Sequence, residues 1–556
     1  MLGRRFGVLV CSVSAIAWIT AGCGGAAPTP PTPDGPAGPK VDRLVMITTP
    51  PASITLEVRN AAEPNSWPLR PMYDYLVGIN NKTSKLEPGL LESWSWEANG
   101  KALRAKLRKG VQFHGDFGEV KAADVKFGWE RMAKGNPDSI HGQLAFWRTI
   151  EDIEVVNDYE LLFKHKNVDG NFVVGLSEQQ GGIEVQSKAH FEKLGGPATF
   201  LTGPLAGSGP YQHIGSNESG FIRFQRVGWK HWRATPDFPE FEFRYAAESS
   251  TRMAALLAGE VHMANLPQDL LQQAEKSGMK VLRGQFPGTR VYSALRGGMF
   301  KDVTDASQGK LYPESPLNDA KVRRAFNKAI NKDELNKAFF AGKGEPMLVN
   351  HMHPSRSGWN PEWERKYKDA YGYDPAAARA LLAEAGYSAA KPLKTNIIIQ
   401  PLPGVGPGGD LSEALANYLR QVGIQVDLLQ IDSTQYTTVN RQRGWDNHIV
   451  PSASGSNIWS GWTIWNSSLV VPATATAYAD ANVDRLLREL AGTLDEKKRD
   501  ELWRQLGDTA FDAHMNINLF WLPVETVVNP KFVGEWVFPG DITGGYTHVW
   551  EIKAAK

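Results

Sequence analysis

The amino-acid sequence predicts an α/β protein of more than one domain, and three observations carry that expectation. The first is length, since 556 residues exceed what one hydrophobic core usually organises. The second is the presence of two hydrophobic periods. Val322, Ala325, Phe326, Ala329 and Ile330 recur at helical spacing, whereas Leu103, Ala105 and Leu107 alternate with Arg104, Lys106 and Arg108 as on a half-buried strand. The third is a strand, a helix and a strand read at residues 396–400, 411–422 and 424–428. Such a βαβ unit requires at least part of a parallel sheet.

Composition narrows the function classes. Lys and Arg number 61 against 60 Asp and Glu, so the chain lacks the basic excess of a nucleic-acid binder. Its 18 Trp and 23 Phe mark a globular chain and raise the question of what those rings touch. Cys11 and Cys23 are the only cysteines, which excludes a disulfide scaffold and a Cys-based zinc site.

Taken in order, residues 1–23 read as an export signal. Arg4 and Arg5 open it, Phe6 to Ile19 form an apolar run shorter than the ~20 residues a bilayer span needs, and small residues precede Cys23. Residues 24–40 are Pro-rich, a semi-rigid tether rather than a fold. The folded body begins at Val41, with a short strand at 45–47. After the strand at 103–107, Gly110 turns the chain, Val111 and Phe113 resume the alternation, and Val125, Trp129 and Met132 mark a helix. Residues 150–166 read as a hairpin turning at Asn157-Asp158. Asp319 is a natural cap for the helix carrying Val322, and Asp333 is expected to cap a second, stopped at Gly342. Asp374 with Pro375 opens another helix, on which Ala378, Leu381, Leu382 and Ala385 form the buried stripe. Helices at 483–490 and 495–512 and a strand through Ile517, Leu519 and Trp521 complete the reading. No internal repeat is evident.

Several phrases are more specific than their periodicity. Pro316, Asp319, Val322-Arg323, Ala325, Ala329-Ile330 and Lys332-Asp333, followed by Gly342-x-Gly344-x-Pro346, resemble the signature of bacterial extracellular solute-binding proteins of family 5. These are the peptide-, nickel- and oligosaccharide-binding subunits of ABC importers. Similar phrases occur at residues 86–132, 207–211, 248–267 and 373–387, so the resemblance spans roughly 41–550. Local departures are His114-Gly115-Asp116, an inverted order, Lys121 in place of a capping Thr, and His262 in place of Asp.

The resemblance implies a two-lobed periplasmic-binding-protein-like fold, type II and cluster C-like. Lobe I is expected at 41–80, 205–300 and 525–556, an inserted subdomain at 81–204, and lobe II at 301–524. It further implies a monomer that captures a peptide-like or other small solute by hinge closure, delivers it to permease subunits, and needs no cofactor. Ala21-Gly22-Cys23 resembles a lipobox, so Cys23 is expected to be lipidated and to anchor the protein to the extracytoplasmic or periplasmic face of the membrane. Competing readings are an oligosaccharide binder of the same family, an exported hydrolase and an adhesive surface lipoprotein.

Each candidate site has a plainer reading beside the functional one. Gly404-x-Gly406-x-x-Gly409, with Asp432 beyond it, has the context of a dinucleotide fingerprint. Pro401, Pro403 and Pro407 disrupt the turn that fingerprint needs, and Asp410, a plausible cap, would meet the pyrophosphate with a carboxylate. No G-x-S-x-G, Walker loop or H-E-x-x-H occurs. His351 and His353 are two ligands where a tetrahedral metal site needs more, so no metal is expected. Trp459, Trp462 and Trp465, with Asn457 beside them, read either as buried core or as a cleft lining in which rings stack on a solute and the amide orients it. The family places ligand contacts here, and its peptide binders carry an Asp that meets the peptide's ammonium group. Residues 451–477 hold no acidic residue, which favours an uncharged or sugar-like solute. Arg356 is a further candidate, placed by analogy where peptide binders present an Arg to the ligand carboxylate.

Overall fold

The structure is a computed structural model. It describes residues 41–556 except 52–55, 61–66, 84, 134–143, 179–181, 196–203, 218–219, 303–304, 401, 403–404, 406–407, 456–477 and 540–545.

Local signals act as the sequence suggests in most places. The side chain of Asp319 accepts a hydrogen bond from the Lys321 N–H and opens the helix Ala320–Ala329. Its predicted stripe of Val322, Ala325, Phe326 and Ala329 is buried in the core shared with Ile517, Leu519 and Phe520. The next helix, Lys332–Phe340, corrects an expectation. Asn331 rather than Asp333 caps it, accepting from the Glu334 N–H at 3.2 Å, and Asp333 lies in the first turn. Asp410 likewise sits inside the first turn of Gly408–Gln421 and does not cap it.

Two large sheets organise the chain. One has seven strands in the order Lys280–Arg283, Glu525–Val528, Met263–Ala264, Arg43–Thr48, Glu240–Tyr245, Phe221–Arg226 and Tyr211–Ser216. Arg43–Thr48 runs parallel to both of its neighbours. The other has six strands in the order Glu345–Pro346, Asn516–Leu522, Thr289–Arg296, His448–Gly455, Lys394–Ile399 and Gln425–Gln430. The predicted βαβ unit lies here, with Lys394–Ile399 parallel to Gln425–Gln430 in the register Thr395 to Val426. A third, antiparallel sheet of four strands contains the predicted hairpin and has its own core around Phe163, Phe172 and Trp129.

The chain passes between the two large sheets twice, at 284–288 and at 523–524. Gly284 N–H donates to the Val524 carbonyl at 2.9 Å, so the two crossings are tied to each other. Thr289–Arg296 is paired on both sides inside the six-stranded sheet. Residues 289–296, which fall in the stretch expected for lobe I, thus pair within the six-stranded sheet.

Where the chain returns from the four-stranded region, Gly207 and Gly209 are needed for close approach. A β carbon would lie 2.0 Å from the Met72 carbonyl oxygen at Gly207 and 2.6 Å from that of Pro71 at Gly209. The same joint buries charge. Asp74 accepts from Arg233 at 2.7 Å and faces His231 at 3.3 Å, while Glu178 faces His548 at 3.1 Å and Arg233 at 3.5 Å.

Candidate functional site

In open α/β sheets ligands collect beyond the carboxyl ends of parallel strands. In the six-stranded sheet those ends are Ile399, Gln430 and Gly455, and Thr289 pairs with Gly455, so the chain enters this edge straight from the first crossing. The edge is where the two large sheets are joined, and the side chains gathered there differ from an apolar core.

Arg290 is the centre. It is only 4% exposed on a strand whose every position is buried. Its guanidinium donates to Asn350 Oδ1 (2.9 Å), His351 Nε2 (2.7 Å), Ser454 Oγ (2.7 Å) and the Gly455 carbonyl (2.9 Å). These partners come from two separate stretches, and His351 adopts a left-handed backbone (φ 68°) to reach it. Burial pulls the Arg290 pKa down to about 10.

Trp521 supports the cluster from the neighbouring strand. It is 1% exposed and donates its indole N–H to the Met352 carbonyl at 3.1 Å. The Arg356 guanidinium lies 5.3 Å from the Trp521 ring centre, a cation–π distance. Burial, and then the charge of Arg290, bring the Arg356 pKa down to about 9. His353 meets Trp521 edge-on at 5.6 Å and reaches Ser355 at 2.7 Å and Glu345 at 3.2 Å. Burial lowers the His353 pKa, with Glu345 acting in the opposite direction.

Of the residues expected at the site, Arg356 lies in this cluster, and His351 and His353 lie there with it. Trp459, Trp462, Trp465 and Asn457 lie outside the described residues, as do Cys23, Gly404 and Gly406. Sequence reading does not pick out Arg290, Asn350 or Ser454, and reads Trp521 only as a strand residue. A charged residue in TRVYSALR was the one available signal, and alternation reads such a residue as solvent-facing. Among the described residues no group of three His, Cys, Asp or Glu could hold a metal, and no helix is long and apolar enough to cross a membrane.

The family model described as bacterial extracellular solute-binding proteins, family 5, matches residues 85–470. The chain belongs to that family. Di/tripeptide-binding protein 1 of Pseudomonas aeruginosa is 26% identical to this solute-binding protein over 460 residues, covering 78% of this chain and 80% of that one. Among solved structures, HbpA2 from Haemophilus parasuis superposes with a TM-score of 0.76 at 20% identity, over 92% of this chain and 100% of that one. The periplasmic binding protein DppA from Helicobacter pylori, in complex with the peptide STSA, gives 0.70 at 22%, over 92% and 98%. The fold is the two-lobed type II arrangement of periplasmic solute-binding proteins, and the family is one of solute-binding proteins.

Proposed function

We propose that this solute-binding protein captures a small organic solute between lobe I (41–80, 205–283 and 525–556, with the subdomain 81–204 inserted) and lobe II (289–522). The lobes close about the crossings at 284–288 and 523–524, and the loaded protein delivers its solute to the permease subunits of an ABC importer. It does so as a monomer held to the outer face of the cell membrane by a lipid on Cys23, with residues 24–40 as the spacer. No covalent chemistry is involved.

One observation carries the reading of the site. The carboxyl edge beside the crossings presents a buried guanidinium, amides, hydroxyls and an indole, the mixture that orients a small polar solute. The names of relatives favour peptides, and the peptide in the DppA complex is one instance. Asn457 lies just past Gly455 in the sequence, and we place it with Trp459, Trp462 and Trp465 on the solute.

A thermal-shift screen of small solutes tests the proposal, because a ligand at 100 times its Kd adds about 2.7 kcal/mol of stability. The expected result is stabilisation by one chemical class together with a smaller radius of gyration in solution scattering. A protein that no small solute stabilises, and that carries none in native mass spectrometry, overturns it. Intact mass of membrane-extracted protein should show a diacylglycerol adduct at Cys23, and a soluble product starting elsewhere removes the anchor from the proposal.

A further inference from the structure

We infer that the site selects a solute that bears a carboxylate and no cationic end, with Arg290 as the buried charge that selects it. This rests on the solute-binding reading of the same site.

Arg290 has five N–H donors. Four go to Asn350, His351, Ser454 and the Gly455 carbonyl, all uncharged acceptors, at 2.7–2.9 Å. These contacts fix the guanidinium plane without neutralising it, and among the described residues no carboxylate pairs with Arg290. A buried charge left without a counter-charge is costly, so a bound anion would lower the cost of keeping one here.

A second observation is independent of charge. The side-chain Nδ2 of Asn350, a residue 2% exposed, has no hydrogen-bond acceptor. Its orientation is not open to a flip, because Oδ1 must face the Arg290 donor. The one remaining N–H of Arg290 is on Nη2, and the Asn350 amide is a second unsatisfied donor of the same cluster. A carboxylate, with two acceptor oxygens, can serve both donors and supplies the missing charge.

The surroundings argue against an accompanying ammonium group. A second guanidinium, that of Arg356, lies 5.3 Å from the Trp521 ring centre and within reach of the charge of Arg290. Glu345, the carboxylate that reaches the cluster, is turned to His353 and its side chain is 62% exposed. Residues 451–455, the described end of the strand that supplies Ser454 and Gly455, contain no Asp or Glu. A free peptide would bring its N-terminal cation to two guanidiniums. A dicarboxylate, an N-acylated amino acid or an N-blocked peptide would not.

The test uses the full-length protein and four probes: N-acetyl-alanyl-alanine, alanyl-alanine, alanyl-alanine amide and cellobiose, each followed by thermal shift and calorimetry. The N-acetylated acid should bind at least about tenfold tighter than the free dipeptide, with no response to the amide or the sugar. Arg290→Gln should flatten that preference. Arg290→Lys, which retains the charge but not the planar fork, should keep the acid preference at lower affinity and decides the matter if Arg290→Gln does not fold. Equal or tighter binding of the amide or of cellobiose by the parent overturns the inference and leaves the solute-binding reading standing. An acid preference that persists in folded Arg290→Gln removes Arg290 from the role. No response to any probe, with no anionic solute found by native mass spectrometry, counts against both readings.

Discussion

Glu178 is 2% exposed, and burial alone would raise its carboxyl pKa; the charge and hydrogen bond of His548, with Arg233 and the Ile79 N–H, instead hold it at about 2. His548 is the mirror case. Burial alone would lower it, yet the charge of Glu178 raises it above its ordinary value of 6.5. The signs then give a window. Stability from Glu178 is present above its ordinary 4.5 and is lost as pH falls toward about 2. Stability from His548 is complete below 6.5 and is lost as pH rises through its raised pKa. The pair is strongest between those ordinary values. Glu178→Gln should cost about 3 kcal/mol near pH 5.5, by urea unfolding, and less on either side of that optimum. A cost independent of pH would mean that the joint is held by packing and not by this pair.

The helices and the βαβ unit were legible because their signals are local. Asp319 lies one turn from the apolar stripe it starts, and Asp374, which accepts from the Ala377 N–H at 2.9 Å, stands beside Pro375. Asp333 was misread because Asn331 and Asp333 are both able caps two residues apart, and only backbone geometry separates them. The expected consequence is measurable: Asn331→Ala should cost about 1 kcal/mol in denaturant unfolding and Asp333→Ala only a few tenths. The reverse order would return the cap to Asp333. The site was less legible for a physical reason. Arg290 takes its meaning from Asn350 and His351, 60 and 61 residues away, and from Ser454 and Gly455, 164 and 165 residues away. No period within a strand encodes partners at such separations. Arg356 is read by family analogy rather than from any pattern in its neighbours, and Trp459, Trp462 and Trp465, outside the described residues, from their recurrence at every third position beside Asn457.

Movement of the two lobes must strain whatever spans their joint away from the solute; Arg499 on Asn171 is one such tie, and a buried carboxylate beside the second crossing makes another. Glu525 opens its strand directly after the second crossing, with its side chain 1% exposed. On its own side it accepts from Arg283 at 2.6 Å and from Gln268 at 2.7 Å. From the other side comes Lys343, in the loop after Lys332–Phe340, which donates to both Glu525 oxygens at 3.1 and 3.2 Å and to Gln268 Oε1 at 3.1 Å. Lys343 is the partner that must move with the six-stranded sheet, while Arg283 and Gln268 move with Glu525. Removing it breaks the tie between lobes yet leaves the buried carboxylate paired, so folding should survive. A charge-assisted contact of this exposure contributes about 1 kcal/mol, enough to change the population of the conformer that makes it about fivefold. Lys343→Met should therefore shift the ligand-free radius of gyration and change solute affinity by a similar factor, with unfolding free energy nearly unchanged. Arg283→Met, on the same carboxylate but within one lobe, is the control: it should lower stability and leave the scattering curve as it was. If Lys343→Met leaves both scattering and affinity unaltered, the tie follows the lobes passively and the resistance to their motion lies in the Gly284–Val524 crossing or in the Arg499–Asn171 and Gly170–Ala491 contacts.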